Sequence, residues 1–213
     1  MGLSTTRALF GPGKIRDVMP RRQRAKRTPD HAHESDYSDT VLRRVNWSED
    51  LDTVRRLFRE YRDWLADHTD PAAKSSSNVP IGLAQFDRVI SELPGVYGPP
   101  RGDVILAFKH SELAACGALR EWEPKVGEIK RIYVRADHRG PGFGPILTGA
   151  LLDRAKEFGY ERVRADTLPT MAAAIQFYQE MGFRPIQAYW AHPVPGALFF
   201  EWKAAKDSAN VST

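Results

Sequence analysis

The sequence predicts an α+β fold (mixed α/β) with a central, mostly antiparallel seven-stranded sheet flanked by about four helices. Short polar connections at 109–112 and 123–126 join three successive strand-like segments, which favours antiparallel hairpins. A helical pattern then separates the strand candidates at 127–134 and 162–166, which is typical of a parallel crossover. The 213 residues, 42% of them apolar, suffice for one core and are too few for two full-sized domains.

The N-terminal part of the predicted domain combines one strand with two helices. Residues 41–45 predict a short strand, and Ser48 offers an N-cap for a helix that extends to about His68. Apolar residues recur in this helix at spacings of three and four, namely Leu51, Val54, Leu57, Phe58, Tyr61 and Leu65. A break rich in serine and proline at 75–80 precedes a second, weaker helix near 82–92.

The C-terminal part alternates strands with helices. The predicted strands lie at 104–108, 113–121, 127–134, 162–166, 184–190 and 197–203, and the predicted helices at 145–158 and 171–181. Gly159 and Gly182 end these helices, because glycine readily adopts the left-handed conformation that follows a helix C-terminus.

Residues 1–40 are predicted to form a disordered basic tail in front of a domain at 41–213. The tail holds eight Lys/Arg and five Asp/Glu, so it carries +3 of the formal charge of +4. The nearly neutral domain does not favour a nucleic-acid partner. Three alternatives for the tail stay open: a myristoylation signal at 1–6, a nuclear or nucleic-acid-binding signal at 21–27, and half of a metal site at His31 and His33.

A single cysteine and the lack of a long apolar run predict a cytoplasmic protein with no membrane partner. Cys116 lies in an apolar, strand-like segment and cannot form an intramolecular disulfide. No run of about 18 apolar residues occurs, and the first residues lack the apolar stretch of a secretory signal. The six histidines follow no metal-binding pattern, so no metal is expected.

A glycine-rich turn, Arg-Gly-Pro-Gly-Phe-Gly at 139–144, lies between a predicted strand and an amphipathic helix. Glycines let the backbone approach a ligand closely, and the N–H groups at a helix start attract phosphate. A dinucleotide fingerprint counted from Gly142 would need glycine where Leu147 stands, and no Gly-Lys-Ser/Thr triplet of a P-loop follows. We therefore expect an anion site, with an ordinary glycine-rich loop as the alternative.

Three segments occur in a characteristic order around this turn. They are Glu-Ile-Lys-Arg-Ile-Tyr-Val at 128–134, Arg-x-x-Gly-x-Gly at 139–144, and Ala-Ile-Gln-Phe-Tyr-Gln-Glu-Met-Gly-Phe at 174–183. Together they resemble the GCN5-related N-acetyltransferases, over a core of about 103–203. The resemblance implies a sheet with one splayed parallel strand pair. It also implies transfer of an acyl group, usually acetyl, from acyl-CoA to a primary amine by direct attack.

The resemblance also assigns residues to acetyl-CoA as cosubstrate. Pantetheine would pair with the backbone of Ile132, Tyr133 and Val134, and a backbone N–H near Ile132 would stabilise the oxyanion. The family often has asparagine where Met171 stands, so that contact is expected to be absent or to be supplied by Thr167. The pyrophosphate would bind the turn through Arg139, Gly140, Gly142, Phe143 and Gly144.

By the same resemblance, Tyr178 is the candidate general acid and Glu128 the candidate general base. A tyrosine with a pKa of about 10 can protonate a thiolate of similar basicity. On spacing alone, Tyr178 could equally be a core aromatic, and Glu128 a strand-surface residue paired with Lys130. Glu121 and Glu123 are fallback bases.

Prolines and aromatic residues set the remaining expectations for the site. Pro141 and Pro145 each remove a backbone donor from the turn, and Arg139 or Arg135 would compensate. Pro145 suits the first position of the helix. The expected lining of the acceptor pocket is Trp122, Tyr189, Trp190, His192 and the loop 193–196. These residues do not discriminate a small-molecule amine from a peptide amine.

The leading hypothesis is an acetyl-CoA-dependent N-acetyltransferase, and a homodimer is left open. One alternative is a non-catalytic domain that binds acyl-CoA as a sensor or interaction module. The presence of both Tyr178 and Glu128 argues against it. The other alternative is a nucleic-acid-binding protein directed by the basic tail.

Overall fold

The computed structural model describes residues 39–68, 78–140, 142–190 and 196–205. Its strands are β1 (Thr40–Arg44), β2 (Asp103–Lys109), β3 (Glu112–Glu123), β4 (Val126–Val134), β5 (Arg162–Thr167), β6 (Arg184–Ile186) and β7 (Leu198–Lys203). Its α-helices are α1 (Trp47–His68), α2 (Asn78–Ser91), α3 (Phe143–Glu157) and α4 (Ala172–Glu180). Short 3₁₀ helices span Gly95–Tyr97 and Ala136–His138. The predictions for residues 1–38 concern a segment outside the described residues.

The strands form one sheet in the order β1-β2-β3-β4-β5-β7-β6. The pair β4–β5 is parallel, and every other neighbouring pair is antiparallel. The chain runs from β4 through α3 to β5, which is the expected crossover. The predicted mostly antiparallel seven-stranded sheet with one parallel pair is therefore confirmed.

Alternation along the strands divides the core between the two faces of the sheet. In β2, Ile105 packs with the cluster under α3 and α4, whereas Leu106 packs with the cluster under α1 and α2. Leu151 of α3 is fully buried on the first face, and Phe58 of α1 is fully buried on the second. Cys116 of β3 lies in the second cluster with none of its surface exposed, as its apolar segment predicts.

Two boundaries differ from the sequence-based expectation for physical reasons. The cap of α1 is Asn46 and not Ser48, because Asn46 Oδ1 accepts hydrogen bonds from the Ser48 backbone N–H and hydroxyl. Strand β6 ends at Ile186, four residues before the predicted end. The chain then leaves the sheet and places Tyr189 against Trp122 and Phe199, with ring centroids 5.1 and 5.2 Å apart.

A buried ion cluster joins β1, β2 and α3. Asp103, at the start of β2, accepts from Arg44 Nε of β1 at 2.6 Å and from Arg154 Nε of α3 at 2.7 Å. Asp103 and Arg154 are both buried. A buried cation without its partner is costly, so Asp103 fixes where α3 lies on the sheet.

We predict that Asp103→Asn lowers the free energy of unfolding by about 3 kcal/mol, because it removes the buried carboxylate that pairs with both Arg44 and Arg154 and leaves Arg154 only the more exposed Glu157. Urea unfolding of the full chain, followed by far-UV circular dichroism, measures this loss. Asp153→Asn is the matched control on the same helix, since it removes only an exposed pair with Lys156. A loss equal to that of the control would contradict the structural role of Asp103.

Candidate active site

The candidate site lies where β4 and β5 separate. Their pairing runs from Val126 opposite Arg162 to Ile129 opposite Ala165 and stops there. Strand β4 continues to Val134, and the edge that faces β5 has no further strand partner among the described residues. The backbone of the last five residues of β4 is therefore available to a ligand, because an unpaired strand edge presents N–H and C=O groups.

A bulge in β4 coincides with this separation. Ala118 of β3 lies opposite Lys130, but Cys116 lies opposite Tyr133, so β4 contains one extra residue. Arg131 in the bulge has φ +60°, a left-handed conformation that is uncommon for any residue except glycine. Bulges redirect side chains and interrupt pairing, and both effects occur here at the gap.

A cavity of about 1190 Å³ occupies the gap, with α1 and α2 on one side and α4 on the other. Ten of the sequence-predicted residues line it: Glu128, Ile132, Tyr133, Val134, Arg139, Gly140, Gly142, Gly144, Thr167 and Tyr178. Phe143 is the exception, because its side chain is buried in the core beside His138. Any contact from Phe143 to a ligand would have to come from its backbone.

The glycine-rich turn begins α3 directly. Gly142, the N-cap, has φ +145° and ψ −43°, which only glycine adopts without strain. Because α3 begins at Phe143, Pro145 is its third residue and not its first, and Ile146 makes the first backbone bond, to Gly142 O at 3.1 Å. The N–H groups of Phe143 and Gly144 therefore lack intrahelical acceptors. Pro141 lies outside the described residues.

Gly144 also couples the turn to α4. A Cβ atom at this position would lie 2.9 Å from Cε1 of Phe177, the neighbour of Tyr178 on α4. The absence of a side chain at Gly144 therefore allows the turn to pack directly against the helix that carries the candidate acid.

Arg139 is the available cation of the turn. Its Nε donates to the Val134 carbonyl at 3.2 Å, and its guanidinium lies 4.9 Å from the centre of the Trp64 ring. Arg135, the other predicted candidate, instead forms two hydrogen bonds with the Glu60 carboxylate, at 2.9 and 2.5 Å. Arg139 therefore remains for an anion, while Arg135 joins α1 to the sheet.

Thr167 and Met171 lie together in the cavity wall. The Thr167 hydroxyl is 3.3 Å from the Met171 sulfur and donates to it. A thioether is a weak acceptor, so a stronger acceptor from a ligand can replace it. This arrangement suits the cofactor contact expected of Thr167.

Tyr178 is both a core residue and a cavity residue. It is only 4% exposed, and its ring packs against Phe177, Phe183 and Phe200 with centroids 4.5 to 5.9 Å away. Burial raises the pKa of the Tyr178 hydroxyl well above its ordinary value. The hydroxyl therefore keeps its proton at every pH at which an acid would be needed.

Glu128 is almost fully buried in a network of polar side chains. Its Oε2 accepts from Arg120, with Nε at 2.6 Å and the terminal nitrogen at 2.5 Å, and its Oε1 accepts from Tyr189 at 2.8 Å. Lys130 lies 3.6 Å from Oε1 and also pairs with Asp166. Burial opposes the charged form of Lys130, but Asp166 and Glu128 outweigh it and raise the pKa of Lys130.

The other predicted site residues divide into two groups. Trp122 and Trp190 line the cavity, and Tyr189 reaches it through its bond to Glu128. Glu121 and Glu123 do not line the cavity and pair with arginines instead. His192 and residues 193–195 lie outside the described residues.

Several cavity residues were not predicted from the sequence. They are Tyr61, Trp64, Phe86, Arg131 and Asp166, whereas the pairing of Lys130 with Glu128 agrees with the expectation from strand spacing. Tyr61 carries a helical core pattern, and nothing local distinguishes the others from ordinary surface or packing residues.

Neither a helix that could span a membrane nor a cluster that could hold a metal ion occurs in the described segments. None of their helices is long and apolar enough to cross a membrane. They also contain no cluster of three or more His, Cys, Asp or Glu side chains arranged to hold a metal ion.

A sheet that opens between two parallel strands, with a glycine-rich helix start beside the gap, defines an acyl-CoA N-acyltransferase-like fold. The model of the Acetyltransferase (GNAT) family matches residues 48–183, more than half of the chain. The chain belongs to this family and is an acyltransferase.

Individual relatives agree with this assignment. An uncharacterized N-acetyltransferase of Schizosaccharomyces pombe is 27% identical over 171 residues, covering 79% of this chain and 98% of the relative. The PaiA N-acetyltransferase of Thermoplasma acidophilum, solved with coenzyme A, has a TM-score of 0.58 at 17% identity, over 78% of this chain and 99% of that one. The protein yncA of Salmonella typhimurium, solved with acetyl-CoA as its cofactor, has a TM-score of 0.53 at 18% identity, over 80% and 97%. At these identities the two solved structures show a shared fold.

We predict that Gly142→Val weakens coenzyme A binding by roughly 10- to 100-fold, because a branched side chain strains the backbone at the turn. Isothermal titration calorimetry with coenzyme A measures the change. Gly149→Ala on α3 is the control, since its Cβ would meet only Met181 Cε at 3.8 Å. Unchanged affinity in a folded Gly142→Val protein would show that the turn does not bind the cofactor.

Proposed function

We propose that this chain transfers an acetyl group from acetyl-CoA to a primary amine by direct attack, without a covalent enzyme intermediate. The observation that carries the proposal is that one cavity contains the unpaired end of β4, the glycine-rich turn and Tyr178. Relatives solved with coenzyme A and acetyl-CoA support the choice of cosubstrate. The catalytic domain in this proposal is 41–213.

The residues of the cavity fit the chemical groups of acetyl-CoA. The backbone amides of the turn and the guanidinium of Arg139 would bind the pyrophosphate, since both carry positive charge or partial charge. The backbone of Ile132, Tyr133 and Val134 would pair with the pantetheine amides, as another strand would. Thr167 would donate its hydroxyl to the cofactor in place of its bond to Met171.

Bound acetyl-CoA supplies a thioester whose carbonyl carbon accepts the amine. The carbonyl oxygen gains negative charge during attack, and the backbone N–H near Ile132, in the bulge, is the donor we assign to it. The C–S bond then breaks as the new C–N bond is completed. The departing sulfur needs one proton, and the amine must lose one.

Tyr178 is the proposed donor to the departing sulfur. The raised pKa of its hydroxyl keeps the proton in place but makes the group a weaker acid than an ordinary tyrosine, so the proton passes to the sulfur as the C–S bond breaks and negative charge develops there. Its buried ring is held by Phe177 and Phe183, so the hydroxyl has a defined position.

Glu128 is the proposed acceptor of the amine proton. A carboxylate has about four acceptor positions, and contacts from Arg120 and Tyr189 occupy three of them. The remaining position on Oε1 is available to the amine or to a water molecule that relays the proton, since Lys130 Nζ stays 3.6 Å away, beyond hydrogen-bond distance. Arg120 and Tyr189 then orient the carboxylate toward the cavity.

We predict that Tyr178→Phe lowers kcat by about 100-fold while coenzyme A affinity changes little, because only the proton donor is removed. Release of free thiol from acetyl-CoA with a panel of amines measures turnover. The chain's own thiol adds no background in folded protein, since Cys116 is fully buried and burial raises its pKa to about 12.

In the wild type, the raised pKa of Tyr178 keeps the donor protonated to at least about pH 10, so kcat should not fall within the ordinary tyrosine range. Unaltered kcat in Tyr178→Phe would remove Tyr178 from the mechanism. Tight binding of acetyl-CoA without thiol release from any amine would favour the sensor alternative.

We predict that Glu128→Gln lowers kcat/KM by about 100-fold and that the loss shrinks as pH rises, because a larger fraction of the amine is then already deprotonated. A pH series of kcat/KM with one amine measures this effect. Glu123→Gln is the control, because Glu123 pairs with Arg162 and Arg164 outside the cavity. A loss that is the same at every pH would assign Glu128 a positioning role.

A further inference from the structure

The positive and negative charges of the side chains around Glu128, the proposed base, do not balance. Three cations lie there, Arg120, Lys130 and Arg131, against two carboxylates, Glu128 and Asp166. The carboxylates are engaged by Arg120 and Lys130, so the positive charge of Arg131 is left over. Glu180 also lines the cavity, but it is exposed and accepts a hydrogen bond from Gln176.

Arg131 has no carboxylate partner among the residues that the structure describes. Its Nε is buried without a hydrogen-bond acceptor. Its guanidinium stacks on Phe86 of α2, with Cζ 3.6 Å from the ring centre. Stacking on an aromatic ring holds a guanidinium in place but leaves its N–H groups free to bind an anion.

Most other arginines in the described segments are already paired. Those with a carboxylate partner are Arg43, Arg44, Arg55, Arg62, Arg88, Arg101, Arg120, Arg135, Arg154, Arg162 and Arg164. In the cavity wall only Arg131 and Arg139 lack one within the described residues. Arg139 belongs to the proposed pyrophosphate site, so Arg131 requires a different anion.

The unsatisfied donors of the cavity point to the same kind of ligand. Four buried side-chain polar atoms lack a partner in the described part of the chain, and three of them are N–H donors of cavity residues. They belong to Trp64, Arg131 and Trp190. Trp190 lies near Lys130, whose Nζ is 5.9 Å from its ring centre. A cavity with spare donors fits a ligand that brings oxygen acceptors.

The position of Arg131 in the chain places this anion near the reacting carbonyl. Arg131 directly precedes Ile132, whose N–H we assign to the thioester oxygen. The β4 bulge contains both residues. We therefore assign an anion held by Arg131, on the side of the cavity that Phe86 lines, to the acceptor.

We infer that the acceptor is an amino carboxylate, a primary amine with a nearby carboxylate that Arg131 binds through its guanidinium. This inference rests on the proposed acetyl transfer and names the substrate class for it. Aromatic side chains of Phe86, Trp122 and Trp190 line the same cavity and suit an amino acid with an apolar side chain. A diamine would add positive charge beside Arg131 and would be a poor acceptor.

Matched acceptors test the inference. Leucine, leucinamide and 3-methylbutylamine share one side chain and differ in the carboxylate, as do phenylalanine, phenylalaninamide and phenethylamine. We expect the wild type to have a higher kcat/KM for the amino acid of each set than for its amide or its decarboxylated amine. In Arg131→Gln the ratio of acid to amide should fall by roughly 10- to 100-fold, the usual worth of a charge-assisted hydrogen bond. Comparing ratios between variants cancels the different intrinsic reactivities of the amines.

A binding assay separates this inference from the proposed function. Tryptophan fluorescence of the chain loaded with coenzyme A can be titrated with N-acetylleucine and with N-acetylleucinamide, which requires no turnover. We expect tighter binding of the acid, a loss of that preference in Arg131→Gln and partial retention in Arg131→Lys. Arg88→Gln on α2 is the control, since Arg88 is exposed and pairs with Glu92.

The outcomes are distinct. Turnover of amines that lack a carboxylate, with no preference for the carboxylate-bearing compound in either assay, would overturn the inference and leave the acetyl transfer intact. Carboxylate binding that depends on Arg131, without turnover of any amine, would support Arg131 as a carboxylate-binding residue and contradict the proposed function. An unchanged acid preference in a folded Arg131→Gln protein would also overturn the inference.

Discussion

The separation of β4 from β5 beyond Ile129 and Ala165 is the constraint on which the whole site depends. A continued parallel ladder would satisfy the backbone of Lys130 to Val134 and leave no cavity. Because the ladder stops, the sheet has an internal edge, protected on one side by α1 and α2 and on the other by α4. An edge of this kind can pair with a peptide-like ligand without risking aggregation, since it is not exposed at the border of the sheet.

The glycine-rich turn and α4 are joined by close packing. Gly144 contacts Phe177, so the position of the turn depends on α4, and the buried ring of Tyr178 depends on the same helix. The two interpretations of Tyr178 are therefore compatible. A core position gives its hydroxyl a defined location, and low solvent access raises its pKa, which preserves the proton an acid must supply.

The sequence predicts what depends on local pattern. Hydrophobic periodicity locates the seven strands and four α-helices of the described residues, and the glycine-rich turn and Tyr178 are recognised from short motifs. The Asn46 cap and the early end of β6 were missed because several residues nearby fit the same local rule. The network around Glu128 could not be predicted either, since Tyr189 is 61 residues away and Asp166 is 36 residues from Lys130. Arg131 reaches the cavity through a bulge that no periodicity reveals.

Arg131 combines two costs at one position. A left-handed backbone costs about 1 to 2 kcal/mol for a residue with a side chain, and an unpaired guanidinium with a buried Nε adds a further penalty. Stacking on Phe86 offsets only part of these two costs, typically about 1 to 2 kcal/mol. A neutral residue could occupy a bulge at lower cost, whereas folds retain such unfavourable features mainly at sites where a ligand offsets them. The net positive charge of the chain is concentrated in its first 40 residues, so it gives less information about a ligand of the nearly neutral domain than the unpaired Arg131 does.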